Sequence, residues 1–297
     1  MNHLDRLESQ AIHIIREAVA ESANPVLLFS AGKDSTVLAH LAMLAFHPSP
    51  PPMPLLHIDS TWEFQSLLDF RDRFAKRYGF KLIVHANEAG RAAGMNPFDH
   101  GDLYTTVMRT EPLKAALNEG KFDVILGGAR RDEERSRAKE RIVSVRDHNH
   151  AWDPRSQRPE LWNLYNLRLR PGESARVFPI SNWTEMDVLT YALSRKLELA
   201  PLYFSQPRPT IHRGGTLIVV DDPARMPLRD DEQIVTRSVR FRTLGCWPVT
   251  GGIESTATDL LGVLAETVAS ASSERQGRIG DKDSGGSLEQ QKREGYF

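Results

Sequence analysis

Apolar positions along the chain follow two alternating rhythms. Leu4, Leu7, Ile12, Ile14, Ile15, Ala18 and Val19 recur at helical spacing, and Asn24-Pro25 stops that helix before the apolar run Val26-Leu27-Leu28-Phe29, which reads as a buried strand. A helix is predicted over Ser35–Phe46, ending at Pro48-Ser49-Pro50-Pro51-Pro52-Met53-Pro54, a stiff connector that cannot be helical. Leu55–Asp59 and Lys81–His85 are strands on either side of a helix over Glu63–Tyr78, whose apolar face carries Phe64, Leu67, Phe70 and Phe74 and whose stop is Gly79. A helix around Glu111–Asn118 ends at Gly120, and Phe122–Leu126 is a fourth strand running into Gly127-Gly128.

Strands alternating with helices in this way predict an α/β fold, a doubly wound, mainly parallel sheet with a smaller C-terminal region. Residues 1–200 are assigned to the main domain and 201–297 to the C-terminal region. Thr184-Glu185-Met186-Asp187 is a capping box opening a helix to about Leu197, and Leu217–Asp222 is one more strand. Ser144–Gly172 is aromatic, proline-punctuated and nearly aperiodic. From about 273 to 297 the chain is polar and charged, the pattern of a mobile tail or an arm ordered by a ligand or partner. Parallel sheets bind ligands beyond the carboxyl ends of their strands, so Ser30, Asp59, His85 and Gly127-Gly128 are expected along one edge.

Composition narrows the chemistry. The formal net charge of −1 over 297 residues gives no global basic field for nucleic acid. A single cysteine, Cys246, excludes an internal disulfide framework, a multi-cysteine zinc site and a self-contained iron–sulfur cluster, and its apolar setting reads as a buried, inert thiol. The chain opens polar, and no apolar run approaches ~20 residues, so a soluble, cytoplasmic protein without membrane contact is expected.

The strand Val26–Phe29 runs into Ser30-Ala31-Gly32-Lys33-Asp34-Ser35 and at once into a helix. Gly32 permits close backbone approach, Ser30 and Ser35 add hydroxyls, Lys33 adds charge, and the helix start supplies N–H groups: an anion site suited to pyrophosphate. The nucleoside-triphosphate P-loop is excluded by spacing, since Leu27 stands where its first Gly belongs and Asp34 follows Lys33. No Asn-Lys-x-Asp guanine signature is present.

A second candidate, Gly127-Gly128-Ala129-Arg130-Arg131 and onward to Lys139, begins where the fourth strand ends. Arg130 and Arg131 can fork onto phosphate or sulfate oxygens, whereas Arg135, Arg137 and Lys139, interleaved with Glu133, Glu134 and Glu140, read as a solvated helix face. Asp34 and Asp59 serve either as magnesium-linked acids or as caps and turns. His148-Asn149-His150 lacks a third ligand at readable spacing and reads as plain loop. Trp152, Trp162 and Tyr165 among arginines mimic a single-strand nucleic-acid surface, but prolines and nearby acids favour loop packing or a protein interface.

The order Ser-x-Gly-x-Asp-Ser after a strand resembles the PP-loop of the ATP pyrophosphatases, many of which have Gly where this chain has Ala31. The resemblance widens through His57–Phe64, Gly127–Arg137, Trp152-Asp153-Pro154, Gln157–Asn166, Phe241–Cys246 and Lys292–Phe297 to the ATP-pyrophosphatase subunit family of the two-subunit bacterial sulfate adenylyltransferases. That likeness implies adenylyl transfer from ATP to sulfate, giving adenosine 5′-phosphosulfate and pyrophosphate. It also implies Mg2+ with the ATP, and a partner GTPase subunit whose GTP hydrolysis drives the uphill step. Ser30, Ala31, Gly32, Lys33, Asp34, Ser35, Asp59, Gly127 and Gly128 are then expected to bind nucleotide, and Arg130 and Arg131 the reacting anions, with no resident metal site. Trp152–Tyr165 and the tail beyond Ser272 are candidate partner surfaces. Two alternatives share the loop. A phosphosulfate reductase needs a cysteine near its C-terminus, and Lys292–Phe297 has none; a tRNA-modifying enzyme would show cluster cysteines or a basic face.

Overall fold

A computed structural model describes residues 2–133 and 137–270. In chain order its elements are α1 (His3–Ala20), β1 (Pro25–Leu28), α2 (Lys33–Phe46), β2 (Leu55–Asp59), α3 (Gln65–Arg77), β3 (Leu82–Ala86), α4 (Glu88–Ala92), α5 (Pro97–Thr105), α6 (Glu111–Gly120) and β4 (Val124–Leu126). They continue with β5 (Val143–Arg146), β6 (Ser174–Val177), α7 (Glu185–Ser194), β7 (Gln206–Arg213), β8 (Thr216–Val219), β9 (Val235–Arg240), β10 (Gly251–Glu254) and α8 (Leu260–Ala269).

Among the described residues the main sheet has six strands in the order β3-β2-β1-β4-β6-β5. All neighbours are parallel except β5 against β6, so the expected mainly parallel, doubly wound α/β sheet is what forms. Alternation on β1 explains the two-sided burial. Leu27 faces the large cluster with α1, α2 and α3, while Val26 packs with Leu56, Ile125 and the α6 residues Leu113, Ala116 and Leu117. Strands buried on both faces must be apolar throughout, which is why Val26–Phe29 shows no alternation of polarity.

Three parts differ from the pattern read off the sequence. First, α2 begins at Lys33 rather than Ser35, because Gly32 sits extended as its N-cap (φ −75°, ψ 166°), so the first helical turn is part of the Ser30–Ser35 loop itself. Second, the aperiodic stretch 144–172 contains most of β5, the edge strand, whose N–H groups at Val143 and Val145, with that of Ile142 just before it, are taken by the side chains of Glu160 and Gln157. Third, β7–β10 close into a barrel in the order β10-β8-β7-β9, where only Leu217–Asp222 reads as a strand from its apolar pattern. Pro207 and Pro209 remove two ladder donors from β7 and hide it from any strand pattern. From the barrel the chain returns through α8, which packs beside α7, so both parts share one apolar cluster. The expected tail lies outside the described residues. Among those described, no helix is long and apolar enough to cross a membrane.

Candidate active site

One cavity opens at the carboxyl ends of β1, β2 and β4, as a parallel sheet dictates. Ser30, Gly32, Lys33, Asp34 and Ser35 form one wall, and Leu28, Leu56, Ile58 and Leu113 form an apolar recess beside it. Gly128 and Ala129 close the β4 side, and Tyr203 and Thr243-Leu244-Gly245 reach across from the barrel side.

The loop is shaped by local contacts. The Ser35 hydroxyl donates to the Gly32 carbonyl at 3.1 Å and lies 3.3 Å from the Ser30 hydroxyl. Ala31 adopts φ 57°, a left-handed conformation that strains any residue with a Cβ by about 1 kcal/mol and gives a physical reason for Gly there. A Cβ on Gly128 would lie 3.1 Å from the Asp34 carbonyl carbon and from the Ser35 nitrogen, so the β4 exit packs backbone-to-backbone on the loop. Lys33 is buried; its N–H donates to the Tyr203 hydroxyl at 2.7 Å and its ammonium to the Arg242 carbonyl at 3.1 Å.

The sequence-derived site residues separate into two groups. Ser30, Gly32, Lys33, Asp34, Ser35 and Gly128 border the cavity; Ala31, Asp59, Gly127, Arg130 and Arg131 do not. The Gly127 N–H belongs to the sheet, donating to the Val177 carbonyl at 2.8 Å. Asp59 accepts the Thr61 N–H at 2.7 Å and shapes the turn after β2. His85 stands off the cavity near Glu119, at 3.8 Å. Arg130 is fully buried behind the loop, its Nε 2.6 Å from Asp34 Oδ1. Arg131 is half-buried and reaches the Glu140 carbonyl and the Asn182 side chain instead of lining the cavity.

Arg137 requires a correction. It was expected on a solvated helix face, yet it is buried and borders the cavity with Glu133, 3.4 Å from its Nε. The described part of that stretch is a turn and a short 3-10 segment, Arg137–Lys139, rather than an amphipathic helix. Glu140 is likewise drawn inward, to Arg146 Nη2 at 2.6 Å and the Ser144 hydroxyl. Glu134, Arg135 and Ser136 lie outside the described residues.

The structure adds residues that the sequence reading passed over. Arg109, on a single π-helical turn at Thr106–Thr110, borders the cavity with its Nη2 3.7 Å from Glu63 Oε1. Burial raises the Glu63 carboxyl, and Arg109 and the Ser60 hydroxyl oppose that rise. His57 donates through Nδ1 to the Phe29 carbonyl at 2.9 Å, and burial pushes its pKa down to about 4, so it is neutral near pH 7. His57 and Glu63 stood inside the stretch His57–Phe64 quoted above; no local signal marked Arg109 or Tyr203.

The remaining candidates fall into place. Cys246 is buried against the Ser60 hydroxyl at 3.1 Å and the Tyr104 hydroxyl at 3.2 Å, as its apolar setting suggested. His150 bonds Asn118 at 2.9 Å, and no cluster of three or more metal-ligating side chains occurs among the described residues. Asp34 is the carboxylate of the loop, and both its oxygens face cations, Arg130 at 2.6 Å and Lys33 at 3.4 Å.

A model of the phosphoadenosine phosphosulfate reductase domain matches residues 24–252. Sulfate adenylyltransferase subunit 2 of Hahella chejuensis is 58% identical over 298 positions, covering 100% of this chain and 98% of the relative. The protein of the same name from Geotalea daltonii is 57% identical, covering 100% and 99%. A phosphoadenylyl-sulfate reductase structure from Candida auris overlays 67% of this chain and 89% of its own, at 17% identity and a TM-score of 0.48. Matched from end to end by such relatives, the chain belongs to the sulfate adenylyltransferase subunit 2 family.

Proposed function

We propose that this chain activates sulfate. A sulfate oxygen attacks the α-phosphorus of ATP, an S–O–P bridge forms, and the bond from the α-phosphorus to its bridging oxygen breaks, its electron pair leaving with pyrophosphate. Sulfate is fully ionised near neutral pH, so the reaction needs no general base. It needs in-line placement and relief of repulsion between two anions. The full-length identity to relatives of that name carries this reading. The cavity suits it: an amide-rich turn at the start of α2 for the leaving pyrophosphate, and an apolar recess of Leu28, Ile58 and Leu113 for a base. Arg109 and Arg137 are then the cations nearest to a sulfate, in place of Arg131.

Magnesium enters as part of the substrate, Mg–ATP, since magnesium is commonly held by phosphate oxygens, water and one or two carboxylates. Making a phosphosulfate anhydride is strongly uphill, so a GTPase partner subunit supplies the drive. Its surface on this chain includes the loop tip Leu161-Trp162-Asn163-Leu164. Leu161, Trp162 and Leu164 are exposed, Trp162 at 84%, and both Trp162 and Asn163 hold left-handed φ. Such a preformed aromatic tip is the usual anchor of a protein interface. The balance of charge and the single buried thiol fit a cytoplasmic enzyme.

ATP–pyrophosphate exchange with and without sulfate, followed by product formation with the GTPase and GTP added, tests the reading. Sulfate-dependent exchange, with phosphosulfate accumulating only when GTP is hydrolysed, is expected. Sulfate-independent exchange, or accumulation by this chain alone, refutes it.

A further inference from the structure

Six residues form a closed circuit around the PP-loop. Lys33 Nζ lies 3.4 Å from Asp34 Oδ2, Asp34 Oδ1 lies 2.6 Å from Arg130 Nε, and Arg130 Nη1 lies 3.7 Å from Asp132 Oδ2. That same Asp132 oxygen accepts the Glu185 N–H at 3.1 Å, and Glu185 Oε2 pairs with Arg242 Nη2 at 2.5 Å. The Arg242 carbonyl then accepts from Lys33 Nζ at 3.1 Å, which closes the circuit. The loop, the β4 exit, the start of α7 and the connection between β9 and β10 are thereby tied together.

Within this circuit we propose that Glu185 and Arg242 are positioning residues for ATP, acting through Lys33. Neither borders the cavity, and both side chains are mostly buried, at 10% and 12% exposure. What reaches toward the site is the Arg242 carbonyl, as acceptor of the Lys33 ammonium, and the next three residues, Thr243-Leu244-Gly245, which line the wall. Glu185 is the first residue of α7, fixed by the capping box of Thr184 with Asp187. Its carboxylate therefore holds Arg242 from a rigid element, and Arg242 in turn holds the carbonyl in place.

A lysine ammonium sits on a flexible four-carbon stem that loses rotamer freedom when it meets a ligand. Where the protein fixes that stem in advance, binding recovers the difference as affinity. Lys33 is fixed from both ends. Its N–H is held by Tyr203, its ammonium by Arg242, and the two holding segments are joined by the Phe241 N–H on the Leu202 carbonyl at 2.9 Å. The barrel side thus sets the phosphate-facing lysine.

The inference rests on the proposed ATP site, and its test reads ATP directly. Titrating ATP into the full chain gives its Kd for the parent, Glu185→Gln, Arg242→Lys and Lys33→Met, with thermal midpoints recorded beside each. Glu185→Gln is expected to weaken ATP about tenfold and Arg242→Lys by less, since a lysine keeps the charge but not the fork. With the partner subunit present, KM for ATP should rise with kcat little changed, as for binding shared by ground and transition states. The decisive measurement is the double variant. In the Lys33→Met background, Glu185→Gln should produce no further loss. A full tenfold loss there would show that Glu185 acts on the fold rather than through Lys33, and overturn the inference. So would an unchanged ATP affinity in both single variants. Should Glu185→Gln not fold, Arg242→Lys supports the same cycle with Lys33→Met. A parent that binds ATP but shows no sulfate-dependent exchange would refute the proposed reaction while leaving this test intact.

Discussion

Replacing Arg130 by Met separates the role seen in the structure from the role suggested by the sequence. The guanidinium is fully buried and meets Asp34 at 2.6 Å, while Asp34 keeps 26% of its side chain in contact with solvent. Two unit charges about 4 Å apart at an effective dielectric near 20 attract by about 4 kcal/mol. Breaking a buried pair by removing one partner costs about 3–5 kcal/mol, and the water at Asp34 places this case near 3. At about 2 °C per kcal/mol for a chain of this size, the thermal midpoint should fall by about 6 °C. A typical reserve of about 5–15 kcal/mol leaves the variant folded at 25 °C.

Guanidinium unfolding of parent, Arg130→Met, Asp34→Asn and the double variant measures the coupling. The double variant should recover about 2 kcal/mol of the sum of the single losses, because it removes both members of the Arg130–Asp34 pair and leaves neither facing the other's absence. A loss below about 1 kcal/mol from Arg130→Met, together with a collapse of turnover, would refute the structural reading. Arg130 would then touch the reacting anions directly, as its place after β4 suggested.

Three further outcomes are expected. Arg131→Lys should leave sulfate-dependent exchange within about twofold, while Arg137→Lys lowers it by more than about tenfold; equal sensitivity would contradict the burial of Arg137 and the placement of Arg131 off the cavity. Gly128→Ala should cost about 1–3 kcal/mol and raise KM for ATP, since its methyl would press on Asp34 and Ser35 backbone at 3.1 Å; an unchanged KM would show that the loop tolerates the shift. His57, with a pKa near 4 folded and about 6.5 unfolded, takes up its proton only on unfolding between those values, so stability falls as pH drops through that window, by on the order of 3 kcal/mol. Glu63, raised in the fold, works in the opposite sense, so the test is His57→Asn, whose unfolding free energy should fall less between pH 6.5 and 4 than the parent's; equal slopes would refute the assignment.

What was legible in the sequence was what is local. The PP-loop is a contiguous strand, turn and helix, and each parallel strand is a short apolar run, so both could be read from neighbouring residues. Arg130 and Arg131 were located correctly after β4, but adjacent side chains leave the backbone in different directions, and only the fold shows one going behind the loop and the other to Glu140 and Asn182. Arg109, Tyr203 and Thr243–Gly245 arrive from distant segments, and no spacing announces them. The barrel was missed because the prolines of β7 break the donor pattern, and because its strands are half-exposed rather than apolar throughout.

The charges bordering the cavity bear on how two anions can meet there. Among the described residues its basic members are Lys33, Arg109 and Arg137, and its acidic members are Asp34, Glu63 and Glu133. Each cation has one of these carboxylates within 4 Å: Asp34 for Lys33, Glu63 for Arg109 and Glu133 for Arg137. Over these described residues the formal sum is zero, and His57 adds nothing near neutral pH. An ATP tetra-anion followed by a sulfate dianion would overwhelm such a wall. In the proposed reaction, neutralisation is then expected from magnesium carried on the phosphates and from the amide dipoles at the start of α2. Paired cations still serve, because a guanidinium held by one carboxylate keeps donors directed elsewhere and needs no reorganisation as the transition state forms. The same pairing holds down affinity for stray anions when ATP is absent. It follows that sulfate should bind measurably only after Mg–ATP. Calorimetric titration of sulfate into the chain alone, and then with magnesium and a non-hydrolysable ATP analogue, should give heat only in the second case; tight sulfate binding to the chain alone would contradict this account of the site.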